Sequence, residues 1–180
     1  MSTIIKTSYF KYHISVLNSY QLTRVEETIY IMVKDFQRLN KNISAKVGQM
    51  RIAQRVNRSV CHVKRCIRKL KKLGLLSASR PDIYSCNEYV CMDSPDDLYI
   101  PIYQDLIANT DYNYNDKYAY CYLYNKKINS NVNVADELLK GKSLEELQYI
   151  NFNMNEIAEF FKVTMQTARN IIKSMVTKRI

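Results

Sequence analysis

A chain of 180 residues that is 47% apolar can build one large domain or two small ones, each with a modest core. No apolar run reaches bilayer-spanning length and the N-terminus lacks the apolar stretch of an export signal, so a cytoplasmic protein without a membrane partner is expected. Five irregularly spaced cysteines read as reduced thiols, and three glycines leave little material for a phosphate-cradling loop. With no H-E-x-x-H or G-x-S-x-G pattern either, neither enzymatic activity nor a cofactor is expected.

The net charge of +10 is unevenly distributed. Residues 21–80 carry 15 basic and 3 acidic side chains, whereas residues 81–140 carry 4 basic and 10 acidic ones. Between Asp35 and Asp82 there are 13 Lys or Arg and no acidic residue at all. Charge of one sign at this density repels itself and calls for a polyanion or an acidic surface.

In chain order, Leu22–Leu39 reads as a helix, with a Thr23/Glu26 capping box and Val25, Ile29, Met32, Val33 and Phe36 at helical spacing. Arg51–Val56 reads as a short helix with Ile52, Ala53 and Val56 inward, followed by a turn at Asn57-Arg58. Ser59 is a natural N-cap for a third helix that runs to about Leu73 and ends at Gly74. Leu75–Ser79 and Ile83–Cys86, joined through Arg80-Pro81-Asp82, read as a β-hairpin.

The pattern then restarts. Shifted by 105 residues, Ile52-Ala53 meets Ile157-Ala158, Val56 meets Phe161, Ser59 meets Thr164, Val63 meets Ala168, Ile67 meets Ile172 and Leu70 meets Met175. Upstream, Tyr12–Leu17 resembles Tyr99–Ile107, and a second long helix is expected from Asn115 to about Ile128. The second copy carries extra residues, Asn133–Ile150, with a helix capped by Ser143 and Glu146, and has no room for a hairpin after its last helix. A linker at Asp93–Asp97 divides the chain into a basic unit, 1–93, and a second unit, 97–180. The expected fold is mainly α with a small β-hairpin wing: two winged helix-turn-helix units in tandem.

This order of helices and spacings resembles the tandem winged-helix proteins of bacterial plasmids and mobile elements, which include replication initiators and conjugation-operon regulators. The resemblance implies sequence-specific binding of double-stranded DNA, in a transcriptional regulator or in a replication initiator or maintenance protein. A winged-helix module that docks on an acidic protein partner is a reading from another class.

On a helical wheel with Val63, Ile67 and Leu70 inward, Cys61, Arg65, Arg68 and Lys72 form the outward stripe, flanked by His62, Lys64 and Lys69. Arg65 and Arg68 suit guanine edges, and Lys64, Lys69, Lys71 and Lys72 suit phosphates. Ser59 can offer a hydroxyl to a phosphate, Arg51, Arg55 and Arg58 are placed for the flanking backbone, and Arg80 sits at the wing tip. In the second copy Gln166, Asn170, Lys173 and Thr177 face outward, with Thr164, Thr167 and Arg169 nearby. Gln166 and Asn170 pair naturally with adenine, so this copy is either a second reader of bases or a packing module. The chain acts either as a homodimer or as its own pseudo-dimer.

The spacings of Cys61, His62, Cys66, Cys86 and Cys91 do not match structural zinc sites, and no metal is expected. His13 reads as an ordinary side chain of an extended segment. Of Tyr112, Tyr114, Tyr118, Tyr120, Tyr122 and Tyr124, some are expected in the core and others at an interface.

Overall fold

The computed structural model describes residues 8–17, 19–41, 43–82, 84–92, 99–131 and 153–177. The expected linker at 93–97 and the expected helix around Ser143 lie outside these residues. Among these residues the fold is mixed, with helices and two small antiparallel sheets. It divides into two compact units, residues 1–111 and 112–180.

The first unit opens with strand β1 (Tyr9–His13) and a helical turn α1 (Ile14–Leu17). Helix α2 (Arg24–Leu39) follows, then β2 (Ala45–Lys46), α3 (Gln49–Arg55), α4 (Val60–Lys72), β3 (Leu76–Ser79) and β4 (Glu88–Cys91). Strand β5 (Tyr99–Tyr103) and α5 (Gln104–Ala108) complete it. Residues 99–111, assigned to the second unit on sequence grounds, thus belong to the first. The reason is that β5 pairs along its full length with β1.

Helix α2 is the centre of this unit. Thr28, Ile29, Tyr30, Ile31, Met32 and Val33 are all buried, which covers every side of the helix. It packs on β1, β2, β4 and α4. Its start is fixed by the expected capping box: the Glu26 amide donates to Thr23 Oγ1 (3.4 Å) and the Thr23 amide to Glu26 Oε2 (2.7 Å). The same Oε2 accepts from Lys69 Nζ of α4 at 2.8 Å. The ends of α4 also follow the sequence, with Ser59 as N-cap and Gly74 at φ 73°, a left-handed conformation that suits glycine.

The hairpin departs from expectation. β3 pairs with Glu88–Cys91 rather than with Ile83–Cys86, in the register Leu76↔Cys91 to Ser79↔Glu88. Asp82 explains why: its carboxylate accepts from the amides of Tyr84 (2.7 Å) and Ser85 (2.8 Å), a local turn that removes those donors from strand pairing. Farther on, Tyr89 and Cys91 alternate inward with Glu88 and Val90 outward, as a strand with one buried face requires. β2 adds a third strand, giving the order β2-β4-β3.

The second unit contains α6 (Tyr114–Asn131), α7 (Met154–Phe161) and α8 (Met165–Thr177), with α8 packed on both others. Asn113 caps α6 by accepting from the Asp116 amide at 2.9 Å. Tyr118 is fully buried and Tyr122 stacks on Phe160, ring centroids 4.5 Å apart.

Two helix-turn-helix segments, one in each unit, share their local backbone geometry. The 105-residue shift carries the start of α4 at Val60 onto the start of α8 at Met165. The turn residues Asn57 (φ 47°) and Lys162 (φ 52°) are both left-handed. The amide of Arg58 donates to Ala53 O and that of Val163 to Ala158 O, each at 3.0 Å. In α8, however, Ile171 takes the inward place with Ala168, and the expected core residues Ile172 and Met175 are half-buried. Cys66, the counterpart of Ile171, is likewise buried. A second shift, of 90 residues, relates β1-α1-α2 to β5-α5-α6. It superposes Tyr9 on Tyr99, Phe10 on Ile100, Leu17 on Ile107 and the cap Thr23 on Asn113. Even the tie between first and last helix recurs: Glu26 meets Lys69, and Asp116 accepts from Ser174, the counterpart of Lys69, at 3.3 Å.

Burial alone would raise the Glu26 carboxyl, but the Lys69 ammonium and the Thr23 amide outweigh it and hold the group below its ordinary value. A depressed folded-state pKa contributes stability above the unfolded value of about 4.3, and this is lost as pH falls through the folded value. Glu26→Gln is therefore expected to lower stability by about 1 kcal/mol at pH 7 and to flatten the loss below about pH 4. Urea unfolding across pH checks this; an unchanged acid slope would show that Glu26 is not the titrating group.

Candidate nucleic-acid interface

Helix α4 buries Val63, Cys66, Ile67 and Leu70 against the first unit and turns Cys61, Lys64, Arg65, Arg68, Lys71 and Lys72 to solvent. At 100° per residue this outer surface has two flanks. Lys64, Arg68 and Lys71 lean towards the hairpin, where they line a groove of about 300 Å³. Ser79 and Arg80 form its other wall together with Asn87, and Ile67 and Tyr89 belong to its lining. Lys64, Arg68 and Lys71 enter from α4 and Arg80 from the hairpin, and none of the lining residues is acidic. Arg65, Lys72 and Cys61 occupy the crest between the flanks.

The opposite flank does different work. Lys69 turns to α2, where Nζ donates to Glu26 Oε2 (2.8 Å) and to Gln21 O (3.0 Å). Expected on the DNA-facing side, it is instead a brace between helices. The arginines of α3 are also engaged locally: the guanidinium of Arg51 lies 5.4 Å and that of Arg55 5.1 Å from the centroid of Phe36 on α2. Arg58 is exposed and bonds Asn57 O at 2.9 Å. Arg80 is exposed at the loop and donates from Nε to Ser85 O at 3.2 Å. Ser59 Oγ accepts from the His62 amide at 3.2 Å, and His62 itself is half-buried.

In the second unit Thr164 Oγ1 accepts from the Thr167 amide (3.3 Å) and contacts the Thr167 hydroxyl (3.0 Å). Gln166, Arg169, Asn170 and Lys173 are exposed on α8, as is Thr177. Gln166 Nε2 donates to Asn170 Oδ1 at 3.3 Å, so the two amides form one ordered pair one helical turn apart. The chain thus presents a basic helical face with an adjoining groove in one unit and, in the other, an uncharged amide pair on a helix face that also exposes Arg169 and Lys173.

Gln49, Ser79 and Asn87 of the groove lining carry no sequence signal, because their placement depends on the true register of β4. Burial pushes the Cys91 thiol up to about 12 and raises that of Cys66, with Glu26 adding to the latter. Cys61 and Cys86 are exposed. Among the described residues no group of three or more His, Cys, Asp or Glu could hold a metal ion, and no helix is long and apolar enough to cross a membrane.

The division of labour on α4 is open to test. Lys69→Met should lower folding stability by roughly 1 kcal/mol while leaving polyanion affinity nearly unchanged. Arg65→Ala should do the reverse. Thermal melts and titration with duplex DNA separate the two; a large affinity loss at unchanged stability in Lys69→Met would return this residue to the interface.

Comparison with protein-family models, with curated proteins and with solved structures finds no match to this chain.

Proposed function

We propose that this protein binds double-stranded DNA in a sequence-specific manner, as a winged helix-turn-helix protein with two units in tandem, and regulates transcription. The observation that carries the reading is the solvent face of α4, where Lys64, Arg65, Arg68, Lys71 and Lys72 are all exposed. Its apolar underside is fixed to the first unit, and the groove beside it is lined by cations without a carboxylate. An α-helix fits the major groove of B-DNA, and a helix with one apolar and one cationic side can enter it without losing its own support. The order α2, β2, α3, α4, β3, β4 is that of a winged helix, which adds support from the fold.

Within this reading the roles follow position. Arg65 on the crest, and Arg68 at its edge, address guanine O6 and N7. Lys64, Lys71 and Arg80, lining the groove, take phosphates of the strand that passes between helix and hairpin. Ser59 donates its hydroxyl hydrogen to a phosphate while its oxygen keeps the cap. No catalytic step is assigned.

Arg65→Ala and Arg68→Ala should each weaken specific binding by about 1–3 kcal/mol and relax base preference at one position. Lys64→Ala and Lys71→Ala should instead reduce the slope of log K against log salt by about 0.9 each, with base preference retained. Selection from random duplexes followed by salt titration measures both. Binding without a defined footprint, or without salt dependence, would favour an acidic protein as partner. A footprint on directly repeated origin sites instead of promoters would make the protein a replication initiator.

Ser59→Asp offers a sharper discrimination. Aspartate caps a helix as well as serine does, so stability should hold or rise. The added carboxylate would lie where a phosphate is expected, and affinity should fall at least tenfold, or about 1.4 kcal/mol. Unchanged affinity would place the start of α4 away from the DNA backbone.

A further inference from the structure

Strands β1 and β5 belong to different copies of the repeat, yet they pair with each other inside the first unit. Their register is Tyr9↔Tyr103, Phe10↔Ile102, Lys11↔Pro101, Tyr12↔Ile100 and His13↔Tyr99. Replacing each residue by its counterpart 90 positions away returns the same set of pairs. The ribbon therefore has a local pseudo-two-fold axis that passes through the Lys11–Pro101 pair. Counterpart residues also meet across this axis: the rings of Tyr9 and Tyr99 stack with centroids 6.1 Å apart, and their hydroxyls lie 3.2 Å apart. A surface that meets its own counterpart across a two-fold axis is the signature of an isologous contact, the kind by which identical chains dimerise.

The side chains on the axis favour the mixed pair. If β1 met β1 of a second chain in the same register, Lys11 would lie directly opposite another Lys11, and like charges in that position oppose pairing. In the mixed ribbon Lys11 faces Pro101, and its ammonium lies 4.7 Å from the Tyr99 ring centroid. The proline is tolerated for a geometric reason. The Gln104 amide donates to Ser8 O at 3.1 Å, which makes 8/104 a hydrogen-bonded pair. By the alternation of antiparallel ladders, 11/101 is then a non-hydrogen-bonded pair, where no amide of residue 101 is needed.

We propose that the β1–β5 ribbon is a two-fold dimer contact closed within one chain, so that a single chain is the complete assembly and a second copy is not recruited through this surface. The inference does not rest on DNA binding.

The test uses the full chain with Cys61→Ser and Cys86→Ser, which removes the exposed thiols. Lys11→Cys with Pro101→Cys places two thiols opposite each other at a non-hydrogen-bonded position, where a disulfide fits. Mild oxidation should give one chain's mass, with the fragments containing residues 11 and 101 linked. Lys11→Cys alone should give no chain-to-chain disulfide, even though the repelling charge is gone. Covalent dimers as the main product in either variant, or no link in a double variant that melts like its parent, would overturn the proposal. Should the double variant not fold, sedimentation of the unaltered chain decides: a particle of 21.2 kDa supports a closed ribbon, and a dimer refutes it.

Discussion

The basic face of α4 depends on how one of its own cations is held. A helix that carries so many positive charges and must also bury an apolar stripe is repelled along its length, and desolvating any of those charges is costly. Glu26 resolves this at one point. Its carboxylate completes the cap of α2 and receives Lys69 from α4, so a group already required for a helix start also joins the two helices. With Lys69 leaning to the start of α2, the remaining lysines and arginines of α4 are left on the solvent side. The same tie recurs with a neutral donor between Ser174 and the Asp116 carboxylate in the second unit, where α8 carries far less charge.

The parts of this architecture that are local in sequence were legible in it. The Thr23/Glu26 box, the Ser59 cap and the stop at Gly74 are rules about neighbouring residues, and each lies where the sequence placed it. The repeat of α3-turn-α4 in α7-turn-α8 was legible for the same reason, since its spacing is fixed by backbone geometry. Non-local features were not. β2 is two residues long and owes its existence to β4. The Asp82 turn is local, but the hairpin register was decided by the need to bury Tyr89 and Cys91 against the rest of the unit, which no pattern of adjacent turn residues supplies. The pairing of β1 with β5 joins residues some 90 positions apart, which no local rule could supply.

The candidate site divides along the same line. Helical periodicity separated the buried from the exposed side of α4, and those residues lie as expected. It could not tell which flank faces the hairpin and which faces α2, so Lys69 was grouped with Lys64 although they point to opposite neighbours. Nor could it show that Phe36, counted as a core residue of α2, is a half-buried platform for Arg51 and Arg55. Positive charge shows what kind of partner a surface suits; the neighbours of each side chain decide which charges are available to it.

The β1–β5 ribbon also has a consequence for how the protein emerges from the ribosome. β1 emerges well before its partner, which follows roughly 90 residues later; at about 5–20 residues per second this is a wait of about 5–20 s. During that interval the α2–α4 core can assemble from contacts nearer in sequence, while Phe10 and Tyr12, both buried in the finished protein, still lack the strand that covers them. The nascent chain therefore carries an unsatisfied strand edge while the residues between the two strands are made, and the arrival of Tyr99–Tyr103 closes it.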